Sequence, residues 1–241
     1  MFSLFWIEPS QAKTQIYSEQ GFLSQENSLI SSLRLRNIFP VELVIEPFIQ
    51  LGSEVMTRGN VQHQLDKGSS YFYYGPGVSW SLFHFTALLE WRQRTFYKTA
   101  DFQSSRDLRA SVIYNSQWFY EILKHLSSYQ EVYGEGILTS ADENNTVISG
   151  WARLGLREKG FSPWNFDLYL EPFASSDTKG RFYNRRIELR PTLRAQYIFK
   201  KMYVGVTGAY VIPVSGKIMN VDFLKDRSGG VRVLAVFGGE I

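Results

Sequence analysis

The sequence predicts an all-β chain, a transmembrane antiparallel up-and-down β-barrel of about twelve strands. Three observations predict it. Apolar and polar residues alternate with a period of two through most of the 241 residues, which marks strands with one greasy and one wet face. Several alternating stretches are long enough to cross a bilayer, for which about 9–11 tilted residues suffice, whereas globular strands usually stop at about 5–6. The links between stretches alternate short and long, as they do when the two ends of a barrel face different compartments.

The clearest stretch runs from Arg186 to Lys200. Ile187, Leu189, Leu193, Ala195, Tyr197 and Phe199 share one face, with Pro191 in phase. Arg186, Glu188, Arg190, Thr192, Arg194 and Gln196 share the other. A soluble sandwich would bury the apolar face against a second sheet. A membrane barrel turns it to lipid and points the arginines into the lumen.

The remaining elements follow in order. Segment 13–20 is the weakest, with Ile16 and Tyr17 alone in its favour. Segment 28–38 sets Leu29, Leu33 and Leu35 against Ser32, Arg34 and Arg36, and Phe39-Pro40 makes a turn. Val41, Leu43, Ile45, Ile49 and Leu51 then oppose Glu42, Glu46 and Gln50, before a polar loop from Thr57 to Ser70. Phe72, Tyr74, Val78 and Trp80 oppose Gly75 and Gly77. After a tight link at Ser81, Phe83, Phe85, Ala87, Leu89 and Trp91 alternate with Thr86, Glu90, Arg92 and Arg94. A loop from Lys98 to Ser105 leads to Leu108, Ala110, Val112 and Tyr114 against Asp107, Arg109, Ser111 and Asn115.

Segment 118–126 breaks the alternation and reads as a short helix or an irregular turn. Beyond it, Glu131, Tyr133 and Glu135 alternate with Val132, Gly134, Gly136 and Leu138. Ile148, Ala152, Leu154 and Leu156 oppose Ser149, Trp151, Arg153 and Arg157. Past a Gly160/Pro163 turn, Phe166, Leu168 and Leu170 oppose Asp167, Tyr169 and Glu171. Lys200-Lys201 links the arginine-rich strand tightly to Val204, Val206, Tyr210 and Ile212. A last loop, from Lys217 to Gly229, precedes Val231, Val233, Ala235 and Phe237.

Composition agrees. The chain has 14 Tyr, 18 Phe and 6 Trp, a supply suited to aromatic girdles at two membrane interfaces. Tyr71 to Tyr74, Phe96-Tyr97 and Phe182-Tyr183 are expected at one end, and Trp80, Phe83, Trp118, Trp164, Phe199 and Tyr203 at the other. No apolar run is long enough for a helical span. Cysteine is absent, which excludes disulfides and thiolate chemistry. The net charge of +3 is mildly basic, but the cations alternate along strands rather than clustering, so no nucleic-acid partner is expected. Met1 to Ile7 is apolar, and Ser10 and Ala12 form the small-residue pattern that precedes a signal-peptidase cut. Residues 1–12 are therefore expected to be a signal-peptide remnant, with the barrel at 13–241; the alternative is an ordinary N-terminal strand.

On this pattern and topology, over nearly its whole length, the chain resembles the outer-membrane β-barrel proteins as a class. The resemblance implies residence in a bacterial outer membrane, with lipid as the first partner. It carries no motif and hence no functional residues. Barrels of that class often end on Phe, whereas here Phe237 stands four residues before Ile241.

The polar face is the candidate site. Arg34, Arg36, Arg92, Arg94, Arg109, Arg153, Arg157, Arg186, Arg190 and Arg194 fall on it, with Glu42, Glu46, Glu90, Asp107, Glu131, Glu135, Glu171 and Glu188. The tripeptide Glu46-Pro47-Phe48 recurs as Glu171-Pro172-Phe173, on opposite walls with both glutamates inward, and each Pro suggests a bulge. Along 186–194 the arginines lie about 13 Å apart, with Glu188 between them and Asp167 and Glu171 on the preceding strand. Part of this row is expected to stay unpaired in lumenal water. The functional expectation is a narrow channel for small anions or anionic oligosaccharides. In architecture the chain resembles narrow twelve-stranded porins with arginine-lined lumens. The alternative is a closed structural barrel that works through its outer loops. No catalytic site, metal or cofactor is expected: His63 beside Asp66, His84 and His125 read as loop and turn residues, and no metal spacing appears.

Overall fold

The structure, a computed structural model, describes residues 12–24, 28–39, 45–58, 70–96, 104–140, 145–178, 186–214, 216–218, 221–223 and 229–240. Residues 1–11 of the expected signal remnant, His63, Asp66 and Glu42 lie outside them. The chain order is β1 (Lys13–Leu23), β2 (Ser28–Ile38), β3 (Ile45–Arg58), β4 (Tyr71–Leu82), β5 (Phe85–Phe96), β6 (Ser104–Leu123), β7 (Leu126–Thr139), β8 (Asn145–Glu158), β9 (Trp164–Asp177), β10 (Arg186–Phe199), β11 (Met202–Val214), β12 (Gly216–Ile218), β13 (Val221–Phe223) and β14 (Gly230–Glu240). All but β12 and β13 form one closed antiparallel barrel, in which each strand pairs with its neighbours in sequence and β14 returns to β1. The strands β12 and β13 make a separate two-stranded sheet within the stretch expected as the last loop.

The barrel wears its polarity inside out. Outward positions are apolar and open, among them Leu89, Ile148, Leu168, Leu193 and Val206. Inward positions carry buried Glu90, Arg92, Asp107, Glu131, Asp167, Glu171, Glu188 and Arg190. That distribution is stable only when the surroundings are lipid. The lumen has a small apolar cluster of Ile38, Phe48 and Leu88, with Ile113 packed against it. Gly77 makes room for it, because a Cβ there would collide with the Phe48 ring.

Several expectations need correction. Segment 118–126 is neither helix nor irregular turn but the tip of a hairpin. The strand β6 continues to Leu123, Lys124-His125 turns, and β7 starts at Leu126, with one irregularity between Glu121 and Leu123. Alternation fails there because β5 pairs with β6 only as far as Tyr114. Past that point the hairpin projects, and Trp118, Phe119, Tyr120, Ile122 and Leu123 are all exposed. The tight link expected at Ser81 lies at Phe83-His84, because β4 runs on to Leu82. Pro47 and Pro172 introduce no register shift, so neither marks a bulge.

The aromatic girdles are partly redrawn. Trp80, Phe83, Trp118, Trp164 and Phe199 are exposed at the short-turn end, and Phe85, Tyr120, Phe161 and Phe166 join them. At the other end Phe72 and Tyr74 face outward, whereas Tyr71 and Tyr73 alternate into the lumen; Tyr203 also points inward, over Gly238. Tyr97, Phe182 and Tyr183 lie outside the described residues.

If lipid covers the outer face, charge on it is costly. Leu193 lies midway along β10 and is 64% exposed. Leu193→Arg should lower folding stability in lipid vesicles by about 2–4 kcal/mol. Equilibrium urea unfolding, followed by the heat-modifiable gel shift of folded barrels, would measure the change.

Candidate functional site

Strand parity sends the polar residues inward, and register sets which of them meet. One network spans β2, β5, β6 and β7. Arg36 reaches Glu90 at 2.8 Å, Glu90 meets Arg109 at 3.7 Å, and Arg109 meets Glu135 at 3.2 Å. The Arg36–Glu90 pair reaches past β3 and β4: Arg36 also donates to Gln50 of β3 at 3.3 Å, and β4 presents Gly75 opposite Gln50 and Gly77 opposite Glu90. Arg92 pairs with fully buried Asp107, which also takes Arg94 at 3.9 Å and a hydrogen bond from Thr139 Oγ1 at 2.7 Å.

A second network runs across β7 to β10. Arg153 bridges Glu131 at 2.9 Å and Glu171 at 2.7 Å. Glu171 also holds Arg190 at 2.9 Å, and Arg190 holds Glu188, which Arg186 approaches to 3.7 Å. Asp167 takes Arg157 and Arg194, each at 2.6 Å. The expectation of an unpaired row on β10 is therefore overturned. Its arginines share carboxylates with β8, so one acid serves two cations.

Aromatic rings floor these pairs. Arg153 lies 3.8 Å from the Trp151 ring centroid, Arg36 4.1 Å from Phe48 and Arg190 4.0 Å from Phe173. The two Glu-Pro-Phe copies thus share a device, an inward Phe beneath a guanidinium. They sit on β3 and β9, on opposite walls of the barrel. Their glutamates differ, since Glu171 binds two arginines and Glu46 has no ion-pair partner among the described residues.

Arg34 is the exception among the ten candidate arginines. It is exposed on the lumenal face of β2 and has no carboxylate within ion-pair distance among the described residues. Its guanidinium lies 5.9 Å from the Tyr17 ring centroid. A cavity of about 350 Å³ opens there at the short-turn end, lined by Tyr17, Arg34, Arg36, Lys201 and Glu240 among others. Arg36 is engaged by Glu90, and Lys201 meets Glu240 at 3.3 Å. Sequence reasoning passed over Tyr17, because β1 alternates poorly, and Lys201, because it lies in a turn. It also passed over Glu19 and Arg232, which pair at 3.5 Å across the β1–β14 seam.

A closed strand order with lipid outside and charge inside decides the class. The chain is a twelve-stranded β-barrel of the membrane-spanning kind. No protein-family model and no curated protein matches it. Among solved structures, it is similar to the β domain of the Bordetella autotransporter BrkA, at 14% identity and a TM-score of 0.49, with 95% of this chain and 98% of that one covered. It is also similar to an outer-membrane channel from Pseudomonas putida F1, at 10% identity and a TM-score of 0.46, with 95% of each chain covered. The KdgM porin, solved in complex with disordered oligogalacturonate, is 8% identical with a TM-score of 0.41, over 93% of this chain and 98% of that one. The fold rests on the strand order and register above, and nothing about solute or activity follows from these likenesses.

The networks make a graded prediction about stability. Glu171→Gln strips the shared acid from two mostly buried arginines and should cost roughly 3–5 kcal/mol. Glu240→Gln breaks a pair whose lysine is 73% exposed and should cost less than about 1 kcal/mol. Urea midpoints of the two variants in the same vesicles would separate them.

Proposed function

We propose that this barrel is a narrow channel for small anionic solutes, carboxylate-bearing oligosaccharides among them, with no catalytic step. Arg34 is the observation that carries the reading. It is an exposed cation without an acidic partner among the described residues, at the wall of a lumenal cavity, in a barrel whose other candidate arginines are all engaged by acids. An uncompensated charge in a low-dielectric passage concentrates counter-ions and sets which sign of ion enters. A cavity of about 350 Å³ falls within the size range of small-molecule sites. The described histidines sit in turns, His84 with its ring 6.0 Å from that of Tyr114, and neither figures in the proposal.

One observation favours the alternative, a closed barrel acting through its outer loops. The Arg36–Glu90 pair crosses the lumen over two strands and narrows it. A single experiment separates the readings. The protein is reconstituted in a planar bilayer, and the reversal potential is measured under a potassium chloride gradient. Discrete conductance with anion preference is expected, and Arg34→Gln should reduce the anion-to-cation permeability ratio roughly threefold. A silent bilayer would leave the closed barrel standing. Conductance with a preference untouched by Arg34→Gln would remove the anion reading.

A further inference from the structure

Charge is almost absent from the outer face of the barrel. Among the described residues, the outward positions of the barrel strands carry two charged side chains, Arg106 on β6 and Glu158 on β8. Glu158 stands at the short-turn end, where its carboxylate accepts from the Gly160 N–H at 2.6 Å. Arg106 stands at the long-loop end. It is exposed and has no hydrogen-bond or ion-pair partner among the described residues.

Register puts two more polar groups at its level. Tyr74 of β4 stands opposite Gln93 of β5, and Gln93 stands opposite Arg106. Neighbouring strands lie about 4.8 Å apart, so phenol, amide and guanidinium form one short outward row. Neither the exposed Tyr74 hydroxyl nor the Gln93 amide has a hydrogen-bond partner among the described residues. One step nearer the middle of the barrel the surface turns apolar, with Trp91 opposite Leu108, both exposed. The height of the row follows from β6 itself. Tyr114, whose ring packs on that of Phe85 at 5.0 Å in the short-turn girdle, lies eight residues further along the strand. At about 3.4 Å per residue and a tilt of about 40°, Arg106 stands roughly 21 Å above that girdle. The lipid-facing band of such barrels is about 25 Å tall, so the row lies where hydrocarbon gives way to headgroups.

We propose that Tyr74, Gln93 and Arg106 form a docking site for the phosphate of one anionic lipid, in the leaflet on the long-loop side. Charge selects the class of occupant, because an uncompensated guanidinium at headgroup depth attracts an anion. Depth selects its source, because a phosphate carried on acyl chains is held at that level. A guanidinium takes phosphate oxygens in pairs, and the amide and phenol beside it are further donors. Trp91 and Leu108 lie beneath, where the first carbons of the acyl chains come to rest. A second copy of the chain brings no acid to this level among the described residues, since Glu158 is at the opposite end.

The absence of native cysteine allows a local reading of the lipid around the row. Ala110→Cys, outward on β6 below Leu108, would carry a fluorophore in the full chain folded into phosphatidylcholine vesicles. The control label is Ile212→Cys, exposed on β11 across the barrel. Quenching by brominated phosphatidylglycerol is compared with quenching by brominated phosphatidylcholine. At Ala110 phosphatidylglycerol should be favoured roughly fivefold, and at Ile212 the two lipids should quench alike. Arg106→Gln should erase the preference at Ala110 and Gln93→Leu should reduce it about twofold, each still folded by its heat-modifiable shift. Inorganic phosphate at matched ionic strength should leave it unchanged. Equal preference at both labels, or a preference that survives Arg106→Gln, would overturn the proposal. Loss of the preference to inorganic phosphate would also overturn it, by making the occupant a free anion.

Discussion

Everything in this molecule depends on a backbone that has no water to bond to. Within hydrocarbon an unpaired N–H or C=O costs several kcal/mol, so a sheet that crosses lipid has to close on itself. The β1–β14 pairing closes it, in unbroken register from Gln15–Glu240 to Leu23–Arg232. The closing strand is also the one with the poorest side-chain alternation. Its place is set by the open edges of β2 and β14 on either side, not by its own apolar residues. This is why a strand bearing Ser18 and Gln20 outward can exist at all.

Closure in turn fixes the lumen. A charged side chain that points inward cannot reach bulk water as a surface residue does, and it needs a partner within a few ångströms. Asp167 and Glu171 meet that need twice over, each taking one arginine from β8 and one from β10. Sharing works because the acids lie on β9, between the two donor strands. The guanidiniums then lie over the rings of Trp151, Phe173, Tyr129 and Tyr169, which turns a column of charges into packed layers. The wall formed by β11 and β14 is different, with Gly205, Thr207, Ala209 and Gly238 inward, and its Arg232 and Glu240 each meet a single partner, Glu19 and Lys201.

The sequence shows the fold wherever a strand has two different environments. Ser28–Ile38 and the Lys200-Lys201 turn can be read to the residue, because lipid and lumen impose opposite demands on successive side chains. The tip of the β6–β7 hairpin cannot, because beyond Tyr114 no partner covers one edge and residues on both faces are exposed. Parity was legible for Tyr71 and Tyr73, which share phase with Gly75 and Gly77, but a run of aromatics reads as a girdle and hides it. The lumen was legible as a list of residues and not as a set of pairs. Period two says which side chains point inward, whereas pairing depends on register across three strands at once. Arg190, with Glu188 two residues along and Glu171 opposite, needed both kinds of neighbour to be neutralised.

That distinction bears on how such a lumen would act on an ion. An arginine held at 2.6–2.9 Å from a carboxylate presents a dipole to the passage, and the field of a dipole falls away faster than that of a charge. Ten candidate arginines therefore do not make a tenfold anion attractor. Among the described residues, the lumen's long-range field on the β1–β2 side comes from the few groups left over, with Arg34 and, at the strand end, Lys13 as cations. Glu46, on the neighbouring β3, is an acid without an ion-pair partner among the described residues. Any selectivity would follow from the balance of these residues and their access to solute, with the paired networks serving as the scaffold that holds the wall in place.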